Sequence, residues 1–171
     1  MTATAATETD TPEIEVHETV WIPMPDGTRL AARLWLPASA RRTPLPCLLE
    51  YIPYRRRDRT RMRDESMHPH FAAAGYASIR VDIRGYGDSD GLSEDEYSDQ
   101  ETQDGHDVIA WLAEQDWCDG NVGMMGKSWS GFNSLQVAAR RPPAAGSPAA
   151  RRHRRPRSAH AVLRAGQAAC R

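Results

Sequence analysis

Two short runs near the start of the chain, at positions 16–23 and 29–36, combine aliphatic residues and tryptophan with a few polar residues. This composition is typical of β-strands. The runs flank Pro25, Asp26 and Gly27, and this tripeptide favours a turn because glycine readily takes a positive φ. We therefore expect an antiparallel hairpin at the beginning of the fold.

Three later segments are short and mainly apolar, at residues 46–52, 76–82 and 121–126. Runs of this length are typical of strands that are buried on both faces of a sheet. A short helix that ends at Gly75 is expected before the second of them. The three segments therefore predict three further strands.

Two amphipathic helices are expected among these strands, at residues 102–115 and 129–140. The first places apolar residues at helical spacing, at Val108, Trp111 and Leu112. The second is expected to bury one face made of Phe132, Leu135 and Ala139. Helices that alternate with apolar strands predict an α/β fold, with a mostly parallel sheet covered on both sides and an antiparallel N-terminal hairpin.

The composition fits one soluble domain. The chain has 171 residues, of which 40% are hydrophobic and 26% charged, enough for a single core. No apolar run approaches the roughly 18 residues that a membrane span needs, and the first residues do not resemble a signal peptide. We expect a cytoplasmic protein without membrane contact. Three scattered cysteines predict neither a disulfide framework nor a cysteine metal site.

Charge is distributed unevenly along the chain. Residues 1–140 carry 14 basic and 23 acidic side chains, whereas residues 141–171 carry eight arginines and no acid. We interpret residues 1–14 as a disordered lead, 15–143 as the folded body and 144–171 as an Ala/Arg-rich tail. The tail has neither a helical nor a strand period, which is typical of a frameshifted or disordered end. The alternative is a natural basic tail that binds a partner or nucleic acid.

The segment Gly126 to Gly131 stands between the fifth predicted strand and the helix after it. A sharp turn from strand to helix strains its central residue and leaves no room for bulk two positions away. Gly126 and Ser130 meet that demand, so Ser128 would project from the turn at the carboxyl edge of the sheet. This is the arrangement of a nucleophile elbow.

A phosphate-binding loop is the main alternative at this segment, because Gly126, Lys127 and Ser128 match the end of its motif. The first glycine of that motif would fall at position 121, which is Asn121. The residues in between are apolar, whereas a phosphate cradle needs exposed main-chain amides. The sequence therefore favours the nucleophile turn.

Five separated motifs occur in one order along the chain. They are VWIPMPDGTRL at 20–30, PYRR at 53–56, DIRGYGDSDG at 82–91, DGHDVIAW at 104–111 and GKSWSG at 126–131. In this set and order the chain resembles the α/β hydrolases of the X-Pro dipeptidyl-peptidase and cocaine-esterase type, from about residue 15 to residue 143. Together the motifs are far more specific than any one of them.

The resemblance implies a role for each of three residues. Ser128 matches the nucleophile that attacks an ester or amide carbonyl. The main-chain N–H of Trp129 matches one oxyanion donor, and the phenol of Tyr54 matches the second. Without the family, Tyr54 would be interpreted as a half-buried aromatic residue whose hydroxyl lies in water.

The chain departs from the family after the nucleophile. In this fold an Asp or Glu and then a His follow the serine, but the last acid here is Asp119, and only His153 and His160 come later. The resemblance also implies further strands, cap helices and a jelly-roll domain that are missing. We therefore expect a hydrolase fold truncated after the nucleophile helix and inactive in this form. Its substrate class would be a small ester, amide or peptide.

Other polar clusters are set aside. The arginine-rich run at 55–63 is interpreted as a solvated loop, and ten acids between Asp82 and Asp107 argue against nucleic-acid binding by the body. Neither the histidines nor the acidic loops have metal-ligand spacing, so no metal or cofactor is expected. Asp82 and Arg84 are expected to fix the loop after the fourth strand. The sequence leaves the oligomeric state open.

Overall fold

The computed structural model describes residues 12–142. Its elements are β1 Ile14–Pro23, β2 Arg29–Pro37, a 3₁₀ turn Ala38–Arg41, β3 Leu45–Ile52, α1 Arg61–Ala73, β4 Ala77–Asp82, α2 Asp99–Ala113, β5 Cys118–Met124 and α3 Trp129–Ala139. All the predicted strands and helices are present. The predicted lead overlaps the described residues only at 12–14, and the tail at 144–171 lies outside them. Within residues 12–142, no helix has the length and apolar character needed to cross a bilayer.

The five strands form one mixed sheet in the order β1-β2-β4-β3-β5. Strands β4, β3 and β5 are parallel neighbours, while β2 pairs antiparallel with both β1 and β4. The antiparallel hairpin and the parallel strands are thus as expected. The parallel strands β4, β3 and β5 place their carboxyl ends at one edge of the sheet.

Helices cover both faces of this sheet. Successive residues of β3 point to opposite faces, so two neighbouring residues show which helices lie on each side. Tyr51 faces α2 and α3, and its hydroxyl donates to the main-chain oxygen of Glu101 at 3.2 Å. Glu50 faces α1, where Arg63 donates to its carboxylate at 2.6 Å. The apolar core lies mainly on the Tyr51 side, at Leu30, Leu34, Leu49, Ile79, Val81, Val108 and Leu112.

The face under α1 is buried but charged. Arg80 of β4 is fully buried and donates to Asp64 of α1 at 2.8 Å. Burial lowers the pKa of Arg80 and raises the pKa of Asp82. Burial alone would also raise the pKa of Glu50. Contact with His68 and the charges of the nearby arginines outweigh burial, so the pKa of Glu50 is lowered. Ionised groups therefore hold α1 against the sheet.

Helix α3 buries a different face from the predicted one. The predicted residues Phe132, Leu135 and Ala139 are exposed. The buried residues are Ser130, Asn133, Ser134 and Val137. The three polar side chains among them donate to main-chain carbonyls, and Ser134, for example, donates to the Ser130 carbonyl at 2.7 Å. The prediction of the buried face was wrong because close approach of the helix decided it, and not side-chain hydrophobicity.

Candidate active site

The turn between β5 and α3 has Ser128 as its central residue. Its main chain lies at φ 59° and ψ −121°, a conformation that L residues rarely adopt and that costs roughly 1–3 kcal/mol. The residue is exposed. This is the strained strand-to-helix turn predicted from the spacing of small residues, and the assignment of Ser128 as a nucleophile stays a prediction.

The small residues on either side of Ser128 are in close contact. A Cβ atom added to Gly126 would lie 2.1 Å from the Ser130 Oγ and 2.5 Å from the Ser130 carbonyl carbon. The Ser130 hydroxyl accepts from the Lys127 N–H at 3.0 Å and donates to the Lys127 carbonyl at 3.1 Å. The turn therefore requires glycine at 126 and a small hydroxyl residue at 130.

The residues before the turn do not form a phosphate loop. Val122 and Met124 are each 4% exposed and lie within strand β5. A phosphate cradle would need flexible backbone with free amides at these positions. The main chain of this segment instead pairs with β3.

Trp129 is the first residue of α3. The first N–H groups of a helix have no partner within the helix, and the helix dipole makes this end favourable for negative charge. The Ser128 carbonyl is already engaged, since it accepts from the Phe132 N–H at 3.0 Å. The Trp129 N–H is one of the α3 N–H groups without a partner inside the helix, and its role as an oxyanion donor stays a prediction.

Tyr54 lies two residues beyond β3, and Ser128 lies four residues beyond the neighbouring parallel strand β5. Both therefore follow the same carboxyl edge of the sheet. The Tyr54 side chain is 44% exposed, while its carbonyl accepts from Arg80 at 3.1 Å and from Thr60 at 2.9 Å. These hydrogen bonds fix the main chain of Tyr54, and the residue keeps part of its surface exposed.

Aromatic rings surround the start of α3. The Trp129 ring lies 5.0 Å from that of Tyr97 and 6.3 Å from that of Tyr86, measured between centroids. Partial desolvation raises the pKa of Tyr97, and Tyr54 is among the neighbouring groups that raise it further. The Tyr97 ring therefore packs against Trp129 at the start of α3.

The buried carboxylate of Glu101 was missed by the sequence reasoning. It accepts from the Trp129 indole N–H at 2.6 Å and from the Tyr97 main-chain N–H at 3.0 Å. The helix was predicted to begin at Thr102, whereas Ser98 caps it and accepts from the Glu101 N–H at 3.1 Å. The spacing Ser98-x-x-Glu101 is a capping box, and this signal could have found the residue.

The loop after β4 is fixed by the two residues expected to do so. The Asp82 carboxylate accepts from the Asp88 N–H of this loop at 3.4 Å and from the Arg56 N–H of the loop after β3 at 2.8 Å. Arg84 binds Asp104 of α2 with two hydrogen bonds of 2.7 and 2.8 Å and also donates to Asp26 at 2.8 Å. These contacts join the hairpin turn, the loop and α2 on the side of the sheet where Ser128 lies.

One cluster of side chains in the described part of the chain could supply the ligands of a metal ion. Ligand atoms of Glu50, Asp64 and His68 lie within 4.8 Å of one another, and all three residues are buried. The guanidinium groups of Arg63 and Arg80 already bind the two carboxylates. A divalent cation would have to enter beside these two positive charges, so the cluster suits an ion-pair network better than a metal centre.

Cys47 and Cys118 are unsuited to nucleophilic chemistry. Both are buried, and burial raises the pKa of Cys47 and raises that of Cys118 to about 11.

At pH 8 we expect iodoacetamide to alkylate neither Cys47 nor Cys118 in the folded protein and both in concentrated urea, because only the thiolate reacts. Peptide mapping by mass spectrometry reads each site separately. Alkylation of either site at equal rates with and without urea would contradict this assignment.

Comparison with known proteins identifies the family. The family profile of the X-Pro dipeptidyl-peptidases (S15 family) matches residues 26–164. A proposed serine esterase of Mycobacterium bovis is 32% identical over 146 residues, covering 75% of this chain and 23% of its own. Cocaine esterase of a Rhodococcus species is 38% identical over 124 residues, covering 72% and 21%. The chain thus spans about a quarter of the length of these relatives.

Solved structures show the same fold. A CocE/NonD family hydrolase of Staphylococcus aureus superposes with a TM-score of 0.66 at 21% identity, covering 75% of this chain and 26% of its own. An α-amino acid ester hydrolase superposes with a TM-score of 0.60 at 25% identity, covering 84% and 26%. The profile match covers most of the chain and includes the turn at Ser128, so this chain belongs to the X-Pro dipeptidyl-peptidase (S15) family of α/β hydrolases.

Proposed function

We propose that this chain carries the nucleophile half of a serine hydrolase that cleaves small esters, amides or peptides through an acyl-enzyme on Ser128. The observation that carries the proposal is the main chain of Ser128, with its φ of 59° at the turn into α3. A nucleophile elbow uses such a conformation to present its hydroxyl beside the unpaired N–H groups of a helix start, which supports the proposal. Membership of a hydrolase family supports the same assignment.

The reaction begins when the Ser128 oxygen attacks the substrate carbonyl and its proton passes to a general base. The carbonyl oxygen becomes negatively charged and accepts from the Trp129 N–H and the Tyr54 O–H. Collapse of this intermediate breaks the ester or amide bond, and the leaving alcohol or amine takes up the proton. Water then attacks the acyl-enzyme, which releases the acid and restores the serine.

The general base is the part that this sequence does not supply in the usual order. Residues 129–171 contain no carboxylate, and their two histidines, His153 and His160, lie outside the described residues. Loss of triad members leaves only the oxyanion donors and binding, with a residual acceleration of roughly 10³–10⁴ over water. We therefore propose that the chain of 171 residues acylates slowly and turns over poorly.

Acylation by p-nitrophenyl acetate tests this function. We expect acetylation of the peptide that contains Ser128, with release of less than one equivalent of p-nitrophenol before the reaction stalls. Ser128→Ala removes this label. Tyr54→Phe deletes one oxyanion donor and is expected to slow acetylation about 10²-fold, the usual effect of removing such a donor. Mass spectrometry of the digested protein and the p-nitrophenol absorbance provide the two measurements.

Lys127→Ala is the matched control, because it removes the neighbouring amine that the same ester could acetylate. Its Ser128 acetylation should match that of the unchanged chain. Circular dichroism confirms that each variant is folded. Equal labelling of the unchanged chain and Ser128→Ala would overturn the proposal, as would acetylation that is confined to Lys127.

A further inference from the structure

Both oxygens of the Glu101 carboxylate have fixed partners beside the Ser128 turn. One oxygen accepts from the Trp129 indole at 2.6 Å, which is short for an N–H donor, and the other accepts from the Tyr97 main chain at 3.0 Å. The residue is only 5% exposed. A buried carboxylate is costly unless its oxygens are satisfied, and here the groups that satisfy them are the Trp129 indole and the Tyr97 main chain.

The main chain of Glu101 is itself immobilised. Its N–H donates to the Ser98 hydroxyl at 3.1 Å, and its carbonyl accepts from the Tyr51 hydroxyl at 3.2 Å. Tyr51 belongs to β3 in the centre of the sheet and is fully buried. The Glu101 main chain is therefore held at two points. This limits the movement of its carboxylate and of the groups that bind to it.

Trp129, whose indole binds the Glu101 carboxylate, directly follows the strained Ser128. The peptide between Ser128 and Trp129 carries the N–H that would face the oxyanion, and the strain at Ser128 favours any rotation that relaxes it. The indole bond to Glu101 fixes the Trp129 side chain and so restricts rotation about the same residue. An error of about 1 Å in such a donor can cost roughly 10²-fold in rate.

The same carboxylate also fixes the loop that covers Trp129. Tyr97 has a φ of 57°, which L side chains rarely adopt, and its N–H is the group that Glu101 binds. Its ring lies 5.0 Å from the Trp129 ring and 5.7 Å from the Phe132 ring. One side chain thus couples the loop before α2 to the start of α3.

We propose that Glu101 is a positioning residue of the Ser128 site, which sets the direction of the Trp129 main-chain N–H by holding its indole. This inference rests on the proposed function, because the N–H matters only if an oxyanion forms there. Glu101 does not touch the substrate in this role. It acts through Trp129 alone, so the two residues should not have additive effects on the rate.

The test compares Glu101→Ala, Glu101→Gln and Trp129→Phe with Glu114→Gln, a change at the other end of α2. The nitrogen–proton NMR spectrum shows the Trp129 indole as the signal absent from Trp129→Phe. We expect this signal at low field in the unchanged chain and in Glu114→Gln, and shifted upfield in Glu101→Ala. Glu101→Gln retains an oxygen for the indole but presents its amide NH2 group to the Tyr97 N–H. Its indole signal should therefore lie between those of the unchanged chain and Glu101→Ala.

The second measurement is acetylation of Ser128 by p-nitrophenyl acetate at saturating and subsaturating ester. Glu101→Ala should lower the maximal acylation rate about 10- to 100-fold and leave the half-saturating concentration within about twofold. Trp129→Phe should give a similar loss, and the double variant should lose no more than either single change. Rescue in Glu101→Gln should be partial and follow the indole shift.

Two results would overturn the inference. An indole signal unchanged in Glu101→Ala would show that the bond is not made in solution. A shifted signal with acetylation equal to that of Glu114→Gln would show that the bond stabilises the fold without orienting the donor. Failure of the proposed function is distinguished by the unchanged chain, in which Ser128 would stay unlabelled while the indole signal still reports the bond.

Discussion

Replacing Gly126 with alanine is expected to destabilise the protein by roughly 3 kcal/mol and to abolish acetylation of Ser128. The added Cβ would lie 2.1 Å from the Ser130 Oγ and 2.5 Å from the Ser130 carbonyl carbon. A side-chain oxygen could rotate away, but the carbonyl carbon is main chain, so the whole turn must shift. Urea unfolding followed by circular dichroism measures the free energy.

Gly131→Ala is the matched control, because it makes the same chemical change five residues later. A Cβ there would meet its nearest atom, the Gly126 carbonyl oxygen, at 3.4 Å. Gly131 lies within α3, where alanine is preferred over glycine by about 0.5–1 kcal/mol. We expect unfolding free energy equal to or slightly above that of the unchanged chain. Equal stability of the two variants would contradict the close contact at Gly126.

Replacing Arg80 with methionine is expected to cost about 3–5 kcal/mol of unfolding free energy. The guanidinium is fully buried between Asp64 at 2.8 Å and Asp82 at 3.5 Å. Methionine fills much of the volume but removes the buried cation that these carboxylates share, so that Asp64 keeps only Arg63 and Asp82 keeps only Arg56. Urea unfolding at pH 7 gives the change in free energy.

Arg41→Met provides the comparison at an exposed pair. Arg41 binds Glu15 at 2.7 Å, but its side chain is 70% exposed, so the loss should be at most about 1 kcal/mol. Adding Asp64→Leu to Arg80→Met should recover part of the stability, since it removes a buried carboxylate that has lost one of its two arginine partners. A cost at Arg80 no greater than that at Arg41 would show that the charged face under α1 is hydrated in solution.

Local patterns predicted the elements well because each has a signal in its own residues. The strand at Ala77–Asp82 was expected from its apolar residues, and the turn at Ser128 from the glycine and serine on either side of it. The serine's main-chain conformation then follows from sterics. The residues that would act together with Ser128 cannot be identified in the same way, because they lie far from it along the chain.

What the sequence did not predict involves contacts between elements. The mainly apolar segment 76–82 indicated a buried strand, but not that Ser78 would bind His68 and Arg80 would bind Asp64, both of α1. The outward position of Phe132 likewise depends on how closely α3 approaches the sheet. Glu101 has an ordinary capping pattern, and only the folded chain brings Trp129 to its carboxylate.

The strand order also affects how the chain is made in a cell. β3 ends at Ile52, but its partners β4 and β5 begin at Ala77 and Cys118, and it lies between them in the sheet. At a synthesis rate of about 5–20 residues per second, the roughly 65 residues between Ile52 and Cys118 take about 3–13 s to translate. During that interval an apolar strand has left the ribosome with one edge still unpaired. Such a nascent chain is a natural client for chaperones that bind exposed apolar segments.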